Sequence, residues 1–181
     1  MPYESPIASL DIRAPMTAER ACEVLDDHSR HEIDHWLSKY PAERRRSAVM
    51  AALRAAQHQN QGYLTPELMD AVAVYMDLPP IFVYEAASFY SMFFTKPVGK
   101  NKIAICSNIS CMLRGADKII KYAENKLGIK LGETTADGQI TLVMEEECVA
   151  ACTGAPMMII NGHYHENLTE AKIDELLGGL S

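Results

Sequence analysis

The sequence is poor in several features that would each define a class of protein. It has 17 Lys and Arg against 24 Asp and Glu among 181 residues, for a net charge of −7. This deficit excludes the basic surface of a nucleic-acid-binding protein. No apolar run approaches the roughly 20 residues of a membrane span, and the start lacks the basic and apolar segments of a signal peptide. We therefore expect a cytoplasmic protein without direct membrane insertion.

The composition that remains is that of a folded globular chain. Hydrophobic residues make up 48% of the sequence and charged residues 23%, which excludes a disordered or fibrous protein. The length allows one medium domain or two small ones. A change of pattern near residue 95 favours two, with domains at 1–95 and 96–181.

The first domain is predicted to be a small helical bundle. Residues 1–15 are expected to be extended, and apolar residues then recur at helical spacing up to about residue 94. Thr17 is a candidate cap for a helix that runs to about Asp27, and Thr65 with Pro66 forms a second helix start. Two further helical segments are predicted from apolar residues at helical spacing. The first set is Ile33, Trp36, Leu37 and Tyr40, and the second is Ala48, Val49, Ala52, Leu53 and Ala56.

The second domain is predicted to have the order β-α-β-β-α. Strands are expected at 102–106 and 140–144, with an amphipathic helix at 112–127 between them. Asn161-Gly162 is typical of a type I′ turn and joins two further strands, 157–160 and 163–165. Thr169 caps a last helix. The fold class is therefore α+β, a helical bundle followed by a small α/β domain.

Four of the five cysteines fall into two pairs in this second domain. Cys106 and Cys111 form a C-x4-C pair, and Cys148 and Cys152 form a C-x3-C pair. In a reducing compartment such pairing indicates metal rather than disulfides. Cys106 ends the first strand and Cys148 lies beyond the second, so parallel strands would bring both pairs to one edge of the sheet. Ligands of α/β folds bind at that edge.

The spacing leaves three chemistries open. An iron–sulfur cluster is favoured, structural zinc accepts ligand pairs of similar spacing, and unligated or redox-paired thiols remain a third reading. The acidic run 145–147 precedes Cys148 directly. It would either lower the reduction potential of an anionic cluster or form an ordinary solvated turn.

Several motifs together resemble a known family, the thioredoxin-like [2Fe–2S] subunits of respiratory complex I, which is the NADH:quinone oxidoreductase. The resemblance covers nearly the whole chain beyond about residue 16. The motifs that carry it are Cys106-Ser-Asn-Ile-Ser-Cys111-Met-Leu-Arg-Gly-Ala, Cys148-x3-Cys152, Ala155-Pro156-Met157-Met158, Glu166-Asn167-Leu168-Thr169, Tyr84-Glu85-Ala86-Ala87-Ser88-Phe89 and Lys96-Pro97-Val98-Gly99.

The resemblance implies a fold, a function and a set of ligands. The second domain is expected to be a thioredoxin-like ferredoxin domain with one [2Fe–2S] cluster on Cys106, Cys111, Cys148 and Cys152. The partner is expected to be the larger subunit that binds FMN and NADH, and through it the other subunits of the peripheral arm. This places the chain at the cytoplasmic side of the inner membrane. The isolated chain is expected to catalyse nothing, because it has no Gly-rich dinucleotide loop and no nucleophile–base pair.

Two alternatives accompany this reading. The chain is alternatively the equivalent diaphorase subunit of an NAD-linked formate dehydrogenase or hydrogenase, or an interaction module with structural zinc on the four cysteines. One position departs from the family pattern, since Ala150 stands where Gly is usual. If the backbone there needs a positive φ, Ala150 is strained. Pro156 corresponds to the cis proline of many thioredoxin-like folds.

Two other features are expected to be unrelated to the site. His31 and His35 match the H-E-x-x-H motif of zinc proteases. On a helix they lie opposite the stripe that includes Ile33, so we expect them in solvent rather than in a cleft. Cys22 falls in a helical segment and is predicted to be a small core residue rather than a fifth ligand.

Overall fold

A computed structural model describes residues 14–143 and 148–180 of the chain. They divide into two compact units, one of residues 14–56 and 65–86 and the other of residues 57–64 and 87–180. The predicted domain boundary at residue 95 stays a prediction. Residues 1–13, where most of the extended segment is predicted, lie outside the described residues. So does the acidic run 145–147.

The first unit is helical, as expected. Thr17 caps its first helix, because its side chain accepts a hydrogen bond from the N–H of Arg20 at 3.2 Å. Thr65 caps another by accepting one from Leu68 at 3.1 Å, with Pro66 as the first helical residue. The helices that begin in this unit are α1 Ala18–Val24, α2 Asp27–Leu37, α3 Val49–Gln59, α4 Pro66–Tyr75 and α5 Pro80–Phe89, with a 3₁₀ segment at Ala42–Ala48 before α3.

Two helix ends differ from the sequence prediction. The first helix stops at Val24, because Leu25 is extended and the Asp26 side chain caps α2 by accepting from Ser29 N–H at 2.7 Å. Asp26 is therefore a helix start rather than a helix interior. The apolar stretch 81–94, which was predicted to be helical, is helical only to Phe89, and residues 91–92 form a turn.

The predicted apolar face of α3 forms part of the first unit's core. Ala48, Val49, Ala52, Leu53 and Ala56 are all buried, as the helical spacing indicates. Of the stripe on α2, only Ile33 is fully buried, while Trp36, Leu37 and Tyr40 are half-buried. The helix α1 packs on α4. The spacing therefore identified the right helix faces, and the depth of burial along α2 is a tertiary property.

The second unit contains a four-stranded sheet of order β2-β1-β3-β4. Strands β1 and β2 are parallel, with Asn101 opposite Ile140, whereas β3 is antiparallel to both β1 and β4. The predicted crossover with parallel neighbours is thus confirmed. The elements are β1 Asn101–Ile105, α6 Ile109–Leu113, α7 Ala116–Leu127, β2 Ile140–Leu142, β3 Met158–Ile160, β4 His163–His165 and α8 Glu170–Gly178.

One predicted helix of this unit is in fact two. The sequence predicted a single helix over 112–127, but a separate short helix, α6, precedes α7. Gly115 divides them with a φ of +92°, a left-handed conformation that glycine adopts without cost. The division matters for the site because it puts Cys111 inside a helix of its own.

The hairpin between β3 and β4 has the predicted turn. Asn161 and Gly162 both have positive φ, 50° and 87°, as a type I′ turn requires. The Asn161 side chain also accepts a hydrogen bond from the N–H of Lys102 at 2.9 Å and donates one to Asn101 at 2.8 Å. The turn therefore fastens the hairpin to β1. The Ala155–Pro156 bond just before the hairpin is cis, as predicted.

The sheet and its helices enclose an apolar core. Ile103 of β1, Leu142 of β2 and Met158 of β3 are at most 1% exposed. They pack with Ile119 of α7 and Ile173 of α8, which cover the sheet. No helix within residues 14–143 and 148–180 is long and apolar enough to cross a bilayer. The fold class is confirmed as α+β, and the core holds β1 and β2 side by side with their carboxyl ends at the same edge.

Candidate metal centre

Cys106 lies directly after β1 and is buried. It is 3% exposed, and its N–H donates a hydrogen bond to the carbonyl of Met157 at 3.1 Å. That bond continues the antiparallel pairing of β1 and β3 by one residue beyond each strand. The backbone of Cys106 is therefore held by the sheet itself, and its position depends on no other part of the site.

Cys111 lies on α6, whose start is capped by Asn108. The Asn108 side chain accepts a hydrogen bond from the N–H of Ile109 at 2.7 Å. Cys111 is 2% exposed, and its thiol donates a hydrogen bond to Cys106. The first cysteine pair is therefore already assembled within the fold.

The surroundings of Cys111 favour its protonated form. Burial, above all, and the hydrogen bond to Cys106 raise the pKa of the Cys111 thiol to about 11. Negative charge on Cys106 and on Cys152 also raises this pKa, whereas a hydrogen bond from the N–H of Met157 lowers it. Since metal ligands are thiolates, a cation is needed to offset this cost at neutral pH.

The second pair lies on a loop at the surface. Cys148 and Cys152 are both exposed, although Val149 between them is 7% exposed and packs in the cluster that contains Cys106 and Cys111. Cys152 begins a short 3₁₀ turn, Cys152–Gly154. The loop is therefore anchored beside the first pair through Val149, while its two thiols remain in contact with solvent.

Ala150 occupies the centre of this loop in a left-handed conformation. Its φ is +57°, so the condition under which the sequence predicted strain is met. A left-handed conformation costs a residue with a Cβ roughly 1–2 kcal/mol. Glycine would adopt the same conformation freely, so the departure from the family pattern has a local energetic cost.

The structure brings together some of the four predicted ligands and not all of them. Cys106 and Cys111 are hydrogen-bonded, and Cys152 is near enough to act on the charge of Cys111. Within residues 14–143 and 148–180, however, no three His, Cys, Asp or Glu side chains form a metal-binding group. The fourth predicted ligand, Cys148, is exposed, and its part in the site stays a prediction.

Two features that the sequence analysis set apart, the H-E-x-x-H motif and Cys22, do not belong to this site. His31 and His35 are exposed on α2, and Ile33 between them is buried, so the protease motif lies on the solvent face as expected. The prediction that Cys22 is a core residue is wrong, because Cys22 is exposed on α1. Ala21 and Leu25 occupy the buried face of that segment instead.

Sequence reasoning missed the short helix α6 and its exposed apolar side chains. Ile109, Met112 and Leu113 are 66%, 47% and 78% exposed, on the same helix that buries Cys111. A signal for this helix was present, since Asn108 is a good N-cap residue directly before Ile109. The prediction of a helix start at Met112 placed that signal outside the helix.

Taken together, the fold and the site define a class of protein. The sheet is mixed and contains two parallel strands. The buried cysteines lie next to each other, and Cys111, with its raised pKa, needs a cation to ionise at neutral pH. This is the arrangement of a small α/β protein that binds metal through thiolates.

Comparisons with known proteins identify the family within this class. Residues 33–181 match the family of thioredoxin-like [2Fe–2S] ferredoxins. The chain is 46% identical over 141 residues to the E subunit of the NADH-quinone oxidoreductase of Rickettsia felis, covering 78% of this chain and 84% of that protein. The chain therefore belongs to the thioredoxin-like [2Fe–2S] ferredoxin family, whose members bind one [2Fe–2S] cluster.

Two further comparisons involve longer proteins. The chain is 44% identical over 146 residues to the mitochondrial NADH dehydrogenase [ubiquinone] flavoprotein 2 of Dictyostelium discoideum, and this match covers 81% of the chain and 59% of that protein. A solved NAD⁺-reducing [NiFe]-hydrogenase, in the air-oxidized state, has a TM-score of 0.61 at 26% identity. That match covers 71% of this chain and 22% of the hydrogenase chain.

Proposed function

We propose that this chain is the iron–sulfur electron-transfer subunit of an NADH:quinone oxidoreductase. Cys106, Cys111, Cys148 and Cys152 hold one [2Fe–2S] cluster, which supplies one-electron transfer when bound. The FMN and NADH belong to a partner subunit, and this chain exchanges electrons with that flavin. By itself the chain is expected to have no catalytic activity, because its sequence has no Gly-rich dinucleotide loop.

The observation that carries the proposal is the buried pair formed by Cys106 and Cys111. Two adjacent thiols, 3% and 2% exposed, lie at the carboxyl end of a parallel strand. A buried thiol with its pKa raised to about 11 is a poor redox nucleophile, because thiol–disulfide exchange needs the thiolate. Metal ligation is the chemistry that this environment fits, since the cation offsets the burial of negative charge.

The partner is supported by the surface next to the buried pair. The apolar face of α6, formed by Ile109, Met112 and Leu113, is exposed in the isolated chain. The buried centre of a subunit interface is more apolar than the rest of the protein surface, and Met is enriched there. The same helix carries Cys111. We infer that the flavin-bearing subunit covers this face, which puts its cofactor on the side of the cluster.

The location follows from the same assembly. The relatives are named as subunits of a respiratory oxidoreductase, and the described helices include none that could span a bilayer. We infer a peripheral subunit on the cytoplasmic side of the inner membrane, attached through its partners.

The decisive experiment is an anaerobic purification of the chain followed by metal analysis. We expect a coloured protein with two irons and two acid-labile sulfides per chain, and an electron paramagnetic resonance signal after reduction by dithionite. A colourless protein with one zinc per chain would instead establish the alternative, an interaction module with a structural zinc site.

A second candidate function is favoured by the hydrogenase comparison. The same fold occurs within a chain of an NAD⁺-reducing [NiFe]-hydrogenase, so this chain is alternatively the diaphorase subunit of an NAD-linked hydrogenase or formate dehydrogenase. Affinity purification of the tagged chain from its own cells distinguishes these. Copurification of quinone-reducing subunits supports the first function, and copurification of a hydrogenase or formate dehydrogenase subunit supports the second.

A further inference from the structure

The turn that follows Cys152 is packed against a side chain from a distant part of the sequence. Gly154 ends this 3₁₀ turn and is buried. The segment that covers it is the connection between β4 and α8, which contains Glu166. An acidic side chain thus lies against a residue only two positions along the backbone from a proposed cluster ligand.

The contact between Gly154 and Glu166 leaves no room for a side chain at residue 154. A Cβ built on Gly154 would lie 2.5 Å from both Cγ and Oε2 of Glu166, far inside normal contact distance. The three atoms nearest to that Cβ position all belong to Glu166. Gly154 is not among the residues with positive φ, so its own backbone does not require glycine. A side chain at residue 154 would therefore have to displace the end of the exposed Glu166 side chain.

Main-chain hydrogen bonds hold the two segments in register. The N–H of Asn167 donates to the carbonyl of Gly154 at 2.6 Å, and the N–H of Leu168 donates to the carbonyl of Pro156 at 2.9 Å. The Lys172 ammonium donates to the carbonyl of Glu166 at 2.6 Å. The backbone of Glu166 is therefore held beside the turn, and its side chain starts from that position.

We propose that Glu166 is a positioning residue for the second cysteine pair and places a negative charge beside the cluster. Its side chain holds the turn that sets the direction of Cys152. Its carboxylate opposes the addition of an electron to the cluster, because reduction adds negative charge near an existing one. This inference rests on the proposed function, since it assigns Cys152 as a ligand.

The charge is tested by a pair of substitutions that each remove one carboxylate. Glu166→Gln keeps the shape of the side chain, and Glu170→Gln makes the same charge change in the first turn of α8. In a redox titration followed by electron paramagnetic resonance, we expect Glu166→Gln to raise the midpoint potential more than Glu170→Gln does. Equal shifts, or none, would overturn the role of the charge.

The positioning is tested by the matched pair of Gly154 and Glu166. Gly154→Ala should force the carboxylate away and release the cluster about 10-fold faster on dilution into a chelator, the lower end of the effect of losing contacts that orient a metal ligand. The double variant Gly154→Ala, Glu166→Ala restores the space and should recover most of the slow release. If Gly154→Ala behaves as the native chain, or the double variant is no better than Gly154→Ala, the positioning role is refuted.

A measurement without the cluster separates this inference from the proposed function. In the metal-free chain, thermal unfolding of the same variants should show a lower midpoint for Gly154→Ala and recovery in the double variant, a non-additive result for residues in contact. Additive effects would contradict the packing. A native chain that binds no iron would overturn the proposed function and with it the role at the cluster, even where this non-additivity is found. A loaded chain whose variants behave as the native one overturns the inference alone.

Discussion

The two cysteine pairs differ in how far the fold prepares them for a ligand. Cys106 and Cys111 are buried, hydrogen-bonded and held by a strand and a capped helix. Cys148 and Cys152 are exposed on a loop whose centre, Ala150, is in a left-handed conformation. The first pair is therefore formed by the core of the domain, whereas the second depends on local contacts and on the cluster itself.

This difference suggests an order of assembly. The buried pair offers two thiols in a fixed arrangement before any metal arrives, but burial raises the pKa of the Cys111 thiol. The second pair is exposed, so iron can reach it from solvent. Iron can then bind first at the exposed pair and replace the Cys111 proton in a later step.

The largest expected effect is the loss of cluster binding when one thiol of the second pair is removed. Cys148→Ser should abolish or strongly reduce cluster binding, because an exposed loop cannot compensate for a lost ligand. Iron and sulfide content per chain and the visible spectrum measure the result. Cys22→Ser, at an exposed cysteine on α1, is the matched control and should retain the full cluster. Retention of the cluster in Cys148→Ser with loss in Cys22→Ser would reverse the ligand assignment.

A pH titration of the metal-free chain tests the first pair. The pKa of the Cys111 thiol rises from 9.0 to about 11 on folding, so the unfolded chain loses this proton first as the pH rises. The contribution to stability is complete below pH 9 and is lost between about pH 9 and 11. It amounts to roughly 2–3 kcal/mol at most.

Chemical denaturation at several pH values measures this loss. Cys111→Ser removes the thiol responsible for this loss, so the variant should show a flatter profile. Cys152→Ser is the comparison in the exposed pair and should retain the loss. A native chain whose stability does not change from pH 9 to 11 would show that Cys111 is more accessible than the structure indicates.

The surface beside the first pair should matter for assembly but not for cluster binding. Leu113→Asp places a charge on the apolar face of α6 and should weaken association with the flavin-bearing subunit at least about tenfold, which is about 1.4 kcal/mol. Tyr164→Asp is the control, since Tyr164 is 55% exposed on β4 of the same unit. Association is measured by pull-down or calorimetry with the partner, alongside the iron content of each variant. Equal binding of the partner by both variants would show that the interface does not include the apolar face of α6.

The smallest expected effect concerns the loop of the second pair. Ala150→Gly relieves the left-handed strain but gives the unfolded chain more freedom, so we expect a net gain of about 0.5 kcal/mol in the free energy of unfolding. Ala151 has a φ of −121°, and Ala151→Gly should instead destabilise the chain by about 0.5 kcal/mol. Changes of opposite sign in the free energy of unfolding of the two variants would confirm the strain at Ala150, and changes of the same sign would contradict it.

Much of the second unit could be predicted because its signals are local. The turn at Asn161–Gly162 and the cap at Thr169 depend on residues within a few positions, and both occur as predicted. The parallel pairing of β1 and β2 followed from the helix between them and the handedness of such crossovers. Errors arose where two local signals competed, as between the cap at Asn108 and the longer apolar period that begins at Met112.

The prediction of the site was less complete than that of the fold. Spacing identified two cysteine pairs and the resemblance identified a cluster. Neither showed that the pairs differ in burial, and the same limit explains the error at Cys22. Whether a helix position is buried depends on which other helix packs against it, and that contact involves residues far away in the chain.

The sequence by itself determined most of the order of helices and strands, the grouping of four cysteines into two pairs and the family to which the chain belongs. Periodicity, caps and turns act through neighbouring residues, so they can be recognised from the order of residues alone. The tertiary structure alone decided which thiols are buried, that Cys111 holds its proton, and that Glu166 packs on Gly154. These are properties of surfaces formed by segments distant in the chain, because burial and electrostatics depend on what lies nearby in space rather than along the sequence.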